Sequence, residues 1–412
     1  MKVVLVLGDG MADRPIKELG GLTPLQAAKT PSMDKIAKFG ICGIMDTISP
    51  GIPPGSDTAH LAIFGYDPFK VYGGRGVFEA LGIGLDVKKG DLCFRSNFAT
   101  VDERMIVLDR RAGRIEEGGE ELAKALDGIK LESFPEIEVI FKHSTEHRGS
   151  LILRGPDLSG MVSNSDPHVE NVAVQKVVPL EKSREAERTA KILNTLIEKF
   201  HEILESHPLN VKRRAEGLLP ANIVLFRGAS VLPKLEPITE RYGIKALCVA
   251  AGALYRGVCK AVGMDLIDVL GATGTVETDT IAKAKTAVEG LLKYDFIFVH
   301  VKGADNASHD GDIKQKIRMI EKIDALLEYI LKNTGKDELI IAVTADHTTP
   351  IAVKEHTGDP VPLAIMGPGV RADSVQRYSE IDCAVGGLGR IRGIDLTPIL
   401  MNYIGRVKKY GE

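Results

Sequence analysis

At 412 residues the chain exceeds one typical domain, so two domains, or one core carrying a large insertion, is the expectation. Its 44% hydrophobic and 26% charged residues are ordinary for a globular protein, and a net charge of −3 gives no electrostatic reason to expect nucleic acid or an anionic membrane as partner. Five cysteines, odd in number, scattered and never spaced C-x-x-C, argue against a disulfide framework or a thiolate zinc site and fit a reducing cytoplasm.

The first predicted element is a strand over residues 3–7 (VVLVL), a continuous apolar run ending in Gly8-Asp9-Gly10. That is the pattern of a strand buried on both faces with a functional loop at its carboxyl end. The run is too short for a signal h-region or a membrane span, and no later apolar run approaches spanning length. Next, Pro53-Pro54-Gly55 leads into SDTAHLAIFG, a predicted helix start with Ser56 near its N-cap. Backbone N–H groups and the helix dipole there favour an anion, although an isolated S-D-T-A is more often a plain capping serine.

Gly-rich stretches at 72–84 and 271–279 are turn-prone and hinge-like. They set the expected edges of an inserted domain over residues 71–277, leaving residues 1–70 and 278–412 as a discontinuous core. Inside the insertion, LILRG (151–155) and NIVLFRG (222–228) read as strands and residues 184–204 as an amphipathic helix. Beyond it, FIFVHVKGAD (296–305) and LIIAVTADH (339–347) repeat the opening pattern, and PLAIMGPG (362–369) looks like a fourth strand of the set. Between the second and third strands, Ile317, Ile320, Ile323, Leu326, Leu327, Ile330 and Leu331 recur at helical spacing. Strand, helix, strand with buried central strands means a parallel α/β sheet, whose ligands sit at the carboxyl ends of the strands.

Those ends carry the chemistry. Asp9 sits in G-D-G, where glycine lets backbone approach a ligand closely, though a lone aspartate there also serves as a turn cap. Asp305 and His309 stand four apart in DNASH: a helical turn would put both on one face, a loop could fold both around an ion, and the bland reading is a solvated polar loop. Asp346 and His347 are adjacent, so both can serve one site only if the strand has already ended, as Thr348-Thr349-Pro350 indicates. His356 lies in a Gly- and Pro-containing loop shortly after. Together Asp9, Ser56, Asp305, His309, Asp346, His347 and His356 make seven candidate ligands, enough for two metal ions with open positions for substrate. Carboxylate and imidazole donors without thiolates suit Mn²⁺, Zn²⁺ or Co²⁺.

The motifs GDGMADR (8–14), PPGSDTAH (53–60), GADNASHDGD (303–312), and ADHTTP with a downstream EHTGDP (345–360) resemble those of the alkaline phosphatase superfamily. More closely, they resemble the cofactor-independent phosphoglycerate mutase family in its archaeal form, over essentially the whole chain. The resemblance implies an alkaline-phosphatase-like three-layer α/β core with a mostly parallel sheet, plus a smaller inserted α+β domain. It implies that Asp305, His309 and His356 hold one divalent ion and that Asp9, Asp346 and His347 hold another beside Ser56, with Mn²⁺ the leading candidate. The implied reaction moves phosphate from 3-phosphoglycerate onto Ser56 and returns it to the 2-hydroxyl of the same glycerate, without free 2,3-bisphosphoglycerate, in glycolysis and gluconeogenesis. Closure between the domains would keep water from the phosphoserine.

On the same resemblance the insertion binds the small acid, with His147, Arg148, His168, Arg227 and Lys245 as candidates and Asp166 as candidate general acid or base. The D-G-R-D substrate segment of the bacterial branch has no counterpart; S-D-P-H at 165–168 is the nearest stand-in. Two competing readings share these motifs: a phosphatase or phosphonate hydrolase on the same bimetallic core, and an inactive metal-binding scaffold. The second is disfavoured because the serine and all six proposed metal ligands are present.

Overall fold

The structure, a computed structural model, describes residues 1–335 and 338–411. Among them thirteen strands follow one another: β1 (Lys2–Gly8), β2 (Ile41–Asp46), β3 (Leu92–Val101), β4 (Val107–Asp109), β5 (Glu138–His143), β6 (Arg148–Arg154), β7 (Ile223–Ser230), β8 (Ala246–Val249), β9 (Asp265–Leu266), β10 (Phe296–Val301), β11 (Leu339–Thr344), β12 (Val361–Met366) and β13 (Gly389–Arg392). The chain divides into two compact units, residues 1–72 with 235–412, and residues 73–234.

The first unit is built on an eight-stranded sheet in the order β13-β2-β12-β11-β1-β10-β8-β9. Val3 to Leu7 of β1 are all fully buried. Because alternate side chains of a strand point to opposite faces, this burial requires cover on both faces, and the apolar run in the sequence is its direct trace. Helix Ile313–Asn333 packs on β1 and on helices Thr280–Gly290, Pro24–Ala27 and Pro31–Phe39, while helix Ser56–Ile63 packs on Ala253–Ala261 and Gly393–Tyr403. β12 is the exception to the parallel set: it pairs antiparallel with both β11 and β2. A parallel return needs a crossover, usually helical, whereas residues 345–360 between β11 and β12 contain no helix and turn the chain straight back. That turning segment is the one that carries Asp346, His347 and His356.

The second unit is antiparallel. β3 is its centre, pairing with β4, β6 and β7, and β5 closes the edge beside β6. Helix Arg184–Glu205 lays Leu193, Leu196 and Phe200 into the core, where the Phe200 ring meets Phe141 and Phe226 edge-on at 5.5 and 5.8 Å. Strands β6 and β7 and this helix fall where their apolar patterns place them.

The insertion is shorter than the Gly-rich stretches imply. Its start lies close to the expected edge, but the return falls at residue 234 and not at 277. Residues 271–279 lie within the first unit, because β8 is already paired parallel with β10. The return link is the extended segment around Pro233 and Pro237, a stiff connection that a search for glycine overlooks.

Candidate active site

Strand order builds the site. β11, β1 and β10 are neighbours and parallel, so the residues after their carboxyl ends gather in one place: Asp346 and His347 after β11, Asp9 after β1, and Asp305 in helix Gly303–Asp310 after β10. All four are buried. Gly10 has φ +60, and a Cβ there would stand 2.7 Å from Thr349 Oγ1 and 2.9 Å from Asp305 Oδ1. Only glycine permits this approach, and the Gly10 N–H then donates to Asp346 Oδ1 at 3.1 Å.

Ser56 is the first residue of its helix, and the N-cap position belongs to Gly55. The plain capping role is therefore absent, and Ser56 Oγ lies 3.5 Å from His347 Nε2. The helical alternative for DNASH is the one adopted: Asp305 Oδ1 lies 3.2 Å from His309 Nε2, one turn along helix Gly303–Asp310. His356 Nε2 approaches the same oxygen at 3.5 Å. β11 ends at Thr344, so Asp346 and His347 stand beyond the strand and converge, with His347 Nε2 3.3 Å from both Asp346 Oδ2 and Asp9 Oδ1.

Second partners fix which imidazole nitrogen faces inward. His309 Nδ1 and His356 Nδ1 lie 2.8 Å from the Lys354 and Pro54 carbonyls, which can only accept, so each Nδ1 carries a proton and Nε2 is the nitrogen left to face Asp305 or a metal ion. His347 Nδ1 contacts Thr349 Oγ1 at 2.8 Å, and that hydroxyl donates to Asp305 Oδ1 at 3.2 Å. Orienting ligand histidines through the far nitrogen is how metal centres are held. Two donor triads lie within mutual ligating reach: Asp305, His309 and His356, and Asp9, Asp305 and His347. Asp9 Oδ1 and Asp346 Oδ2 are buried with no hydrogen-bond partner. Burial, and then the neighbouring Asp9 and Asp305, push the Asp346 carboxyl far above the usual range. A buried set of three carboxylates is costly without added positive charge, so donors, orientation and charge all fit divalent cations.

Several residues here escaped the sequence reading. His300 Nε2 contacts Asp9 Oδ2 at 3.0 Å, and Lys302 Nζ donates to Asp305 Oδ2 at 2.8 Å. His60 Nδ1 lies 2.6 Å from the Ser56 carbonyl. Burial, and then His300, push its pKa down to about 3, so the ring is neutral. The signal for His60 was its position four residues after Ser56 in a predicted helix; His300 was hidden inside an apolar strand.

In the second unit, β3 and β7 place Arg95 opposite Arg227, and β3 and β6 place Arg95 opposite Ser150 and Asn97 opposite Arg148. Arg95 Nε, Asn97 Oδ1, Ser150 Oγ, Arg227 Nε and His147 Nδ1 are all buried without hydrogen-bond partners. His147 is pushed down to about 3 by burial, then by Arg148, Arg111, Arg95 and Arg114. Asp166 is gripped by the Arg110 fork at 2.9 and 2.7 Å. Burial raises its pKa, but the Arg110 bonds and the His168 N–H outweigh that and keep it ionised, which suits a base or an anchor and not an acid. His168 contributes its backbone N–H to Asp166 at 3.0 Å, and its side chain is exposed. Arg75, Arg95 and Arg110 were not anticipated, because no motif marks them.

Lys245 departs from expectation. It belongs to the first unit and lies exposed at the amino end of β8, with its N–H donating to Asp295 Oδ2 at 2.8 Å. The acidic cluster gathers at the opposite, carboxyl ends of the same parallel sheet, so a strand length separates Lys245 from it.

Comparison with known proteins agrees with this chemistry. Residues 37–210 match the family model for 2,3-bisphosphoglycerate-independent phosphoglycerate mutase. The chain is 52% identical over 411 residues to 2,3-bisphosphoglycerate-independent phosphoglycerate mutase 1 of Methanocaldococcus jannaschii, spanning all of this chain and 99% of that protein. It is 49% identical to the Methanothermobacter thermautotrophicus protein of the same name, over 100% of both chains. Among solved structures, a Pyrococcus horikoshii protein superposes with a TM-score of 0.87 at 42% identity, covering 100% of this chain and 99% of that one. The cofactor-independent phosphoglycerate mutase of Thermoplasma acidophilum superposes with a TM-score of 0.74 at 38% identity, covering 98% of this chain and 100% of that one. With half of its residues shared along its full length, the chain belongs to the 2,3-bisphosphoglycerate-independent phosphoglycerate mutase family, the enzymes its serine and buried carboxylates suit.

Proposed function

We propose that the chain interconverts 3-phosphoglycerate and 2-phosphoglycerate through a phosphoserine at Ser56, as a step of glycolysis and gluconeogenesis in the cytoplasm. The observation that carries this reading is Ser56 Oγ, freed from helix capping and 3.5 Å from His347 Nε2, beside the unpartnered oxygens Asp9 Oδ1 and Asp346 Oδ2. Asp305, His309 and His356 would hold one divalent ion, and Asp9, Asp346 and His347 the other; Mn²⁺ is favoured over Zn²⁺ and Co²⁺ for this oxygen-rich set. When bound, such ions supply Lewis-acid stabilisation of an alkoxide and of phosphoryl oxygens.

The chain's own residues do the rest. The N-terminus of helix Ser56–Ile63 directs its dipole toward charge gathering at Ser56. Ser56 Oγ gives up its proton and forms a P–O bond as the bond from phosphorus to the 3-oxygen breaks, and the 3-oxygen leaves as a hydroxyl; the 2-hydroxyl then gives up its proton, bonds to phosphorus and displaces Ser56 Oγ, which is reprotonated. His147, Arg148 and Arg227, with Arg75, Arg95 and Arg110, would hold the carboxylate and phosphate oxygens of the acid, and the unpartnered polar atoms on that sheet face support this assignment. His168 would assist from the loop it shares with Asp166. Asp166, ionised, would act as base toward a glycerate hydroxyl or as the anchor of Arg110 and Arg227, the latter 3.7 Å away. Residues 73–234 would thus form the substrate-binding domain, and Lys245 has no part in it. Among the described residues no helix is long and apolar enough to cross a membrane.

The decisive experiment supplies 3-phosphoglycerate with Mn²⁺ and no bisphosphoglycerate, and couples product to enolase. Formation of 2-phosphoglycerate is expected, abolished by Ser56→Ala and by chelation. Release of inorganic phosphate alone would convert the reading to that of a hydrolase on the same core, the one alternative the shared first half-reaction allows.

A further inference from the structure

Asp9 and Asp305, the two carboxylates of one donor triad, divide their oxygens in the same way. Asp9 Oδ1 faces His347 Nε2 at 3.3 Å, and Asp305 Oδ1 faces His309 and His356 Nε2 at 3.2 and 3.5 Å. Their other oxygens both turn to one ammonium: Lys302 Nζ lies 2.8 Å from Asp305 Oδ2 and 3.7 Å from Asp9 Oδ2. Nζ is itself held, since it also donates to Tyr255 OH at 2.9 Å. The Tyr255 ring stacks on His300 at 3.8 Å between centroids, and His300 Nε2 meets Asp9 Oδ2 at 3.0 Å. Among the described residues, every polar partner of the Lys302 side chain is thus part of the site or of the wall behind it.

We infer that Lys302 is a positioning residue of the metal centre, a resident cation that takes the outer oxygen of Asp9 and of Asp305 so that each presents a single oxygen to the ions. It also offsets part of the charge of the three buried carboxylates when no ion is bound. The same ammonium repels incoming cations, so it trades metal affinity for fixed geometry. This inference rests on the two-metal reading above.

The test measures melting temperature without metal and with Mn²⁺, Mn²⁺ affinity by calorimetry, and steady-state turnover, for wild type, Lys302→Met, Lys302→Gln and Lys302→Arg. In the Met and Gln variants the metal-free protein should melt lower, the Mn²⁺-induced rise should exceed that of wild type, Mn²⁺ should bind more tightly, and kcat should fall about 10-fold or more. Lys302→Arg should return the metal-free melting temperature toward wild type. Tighter metal binding joined to slower turnover is a signature that simple loss of packing cannot produce. Met and Gln variants that melt like wild type in both states, or that lose the same amount in both, would overturn the inference. Wild-type protein that shows no response to Mn²⁺ would overturn the two-metal reading and this inference with it.

Discussion

The hydroxyl of Ser56 takes its character from neighbours that are remote in sequence: His347 lies 291 positions away. Its own helix contributes only the N-terminal dipole and His60, whose neutral ring ties the Ser56 carbonyl back one turn later. His147 is a residue whose burial has a measurable cost in acid. Its pKa is held down at about 3 when folded, against 6.5 for the free side chain, so the unfolded chain takes up a proton first as pH falls. Stability present above pH 6.5 is therefore lost progressively toward pH 3. His147→Gln, which has nothing to titrate, should melt closer to wild type, or above it, at pH 4.5 than it does at pH 8; thermal scans at the two pH values read the difference.

Helix Ile313–Asn333 was legible from periodicity, but its most consequential residue is a cation set within the buried face, one turn before Met319 and Ile320. Lys316 is fully buried, and its Nζ donates to the Ala12 carbonyl at 3.0 Å, the Thr349 carbonyl at 2.9 Å and Asp13 Oδ2 at 2.8 Å. One side chain thus ties the loop after β1 to the segment after β11, and the Thr349 hydroxyl joins His347 to Asp305 across the site. Lys316→Met leaves Asp13 buried without its cation and should cost about 3–5 kcal/mol in denaturant unfolding. Adding Asp13→Asn should recover part of that loss, because no uncompensated charge then remains. Additive losses in the double variant would show that the pair is not the strut.

At the scale of the molecule, the insertion enters after Tyr72 and leaves before Leu235, and within the first unit Tyr66 OH ties the preceding segment to the returning chain by donating to the Glu236 carbonyl at 2.6 Å. The eight-stranded sheet draws no strand from residues 73–234. A chain in which a short glycine linker replaces those residues should fold, as read by circular dichroism, and should keep a Mn²⁺-dependent gain in melting temperature. Such a protein should release phosphate from phosphoglycerate and form no 2-phosphoglycerate, because the arginines assigned to the acid would be gone. Mutase activity surviving the deletion would refute that assignment.

Local pattern alone located the strands that are buried on both faces, the long amphipathic helices, and the candidate residues Asp9, Ser56, Asp305, His309, Asp346, His347 and His356, which the fold brings together. Apolar runs and helical periodicity are local consequences of burial, and each acidic cluster sits within a few residues of the strand end that positions it. The extent of the insertion, the antiparallel course of β12, the place of Lys245, the arginine face of β3 and β7, and the contacts of His60, His300, Lys302 and Lys316 emerge only in the folded chain. Each of these depends on which strands pair and on which oxygen of a carboxylate meets which cation. Those contacts join positions tens to hundreds of residues apart, and no local pattern records them.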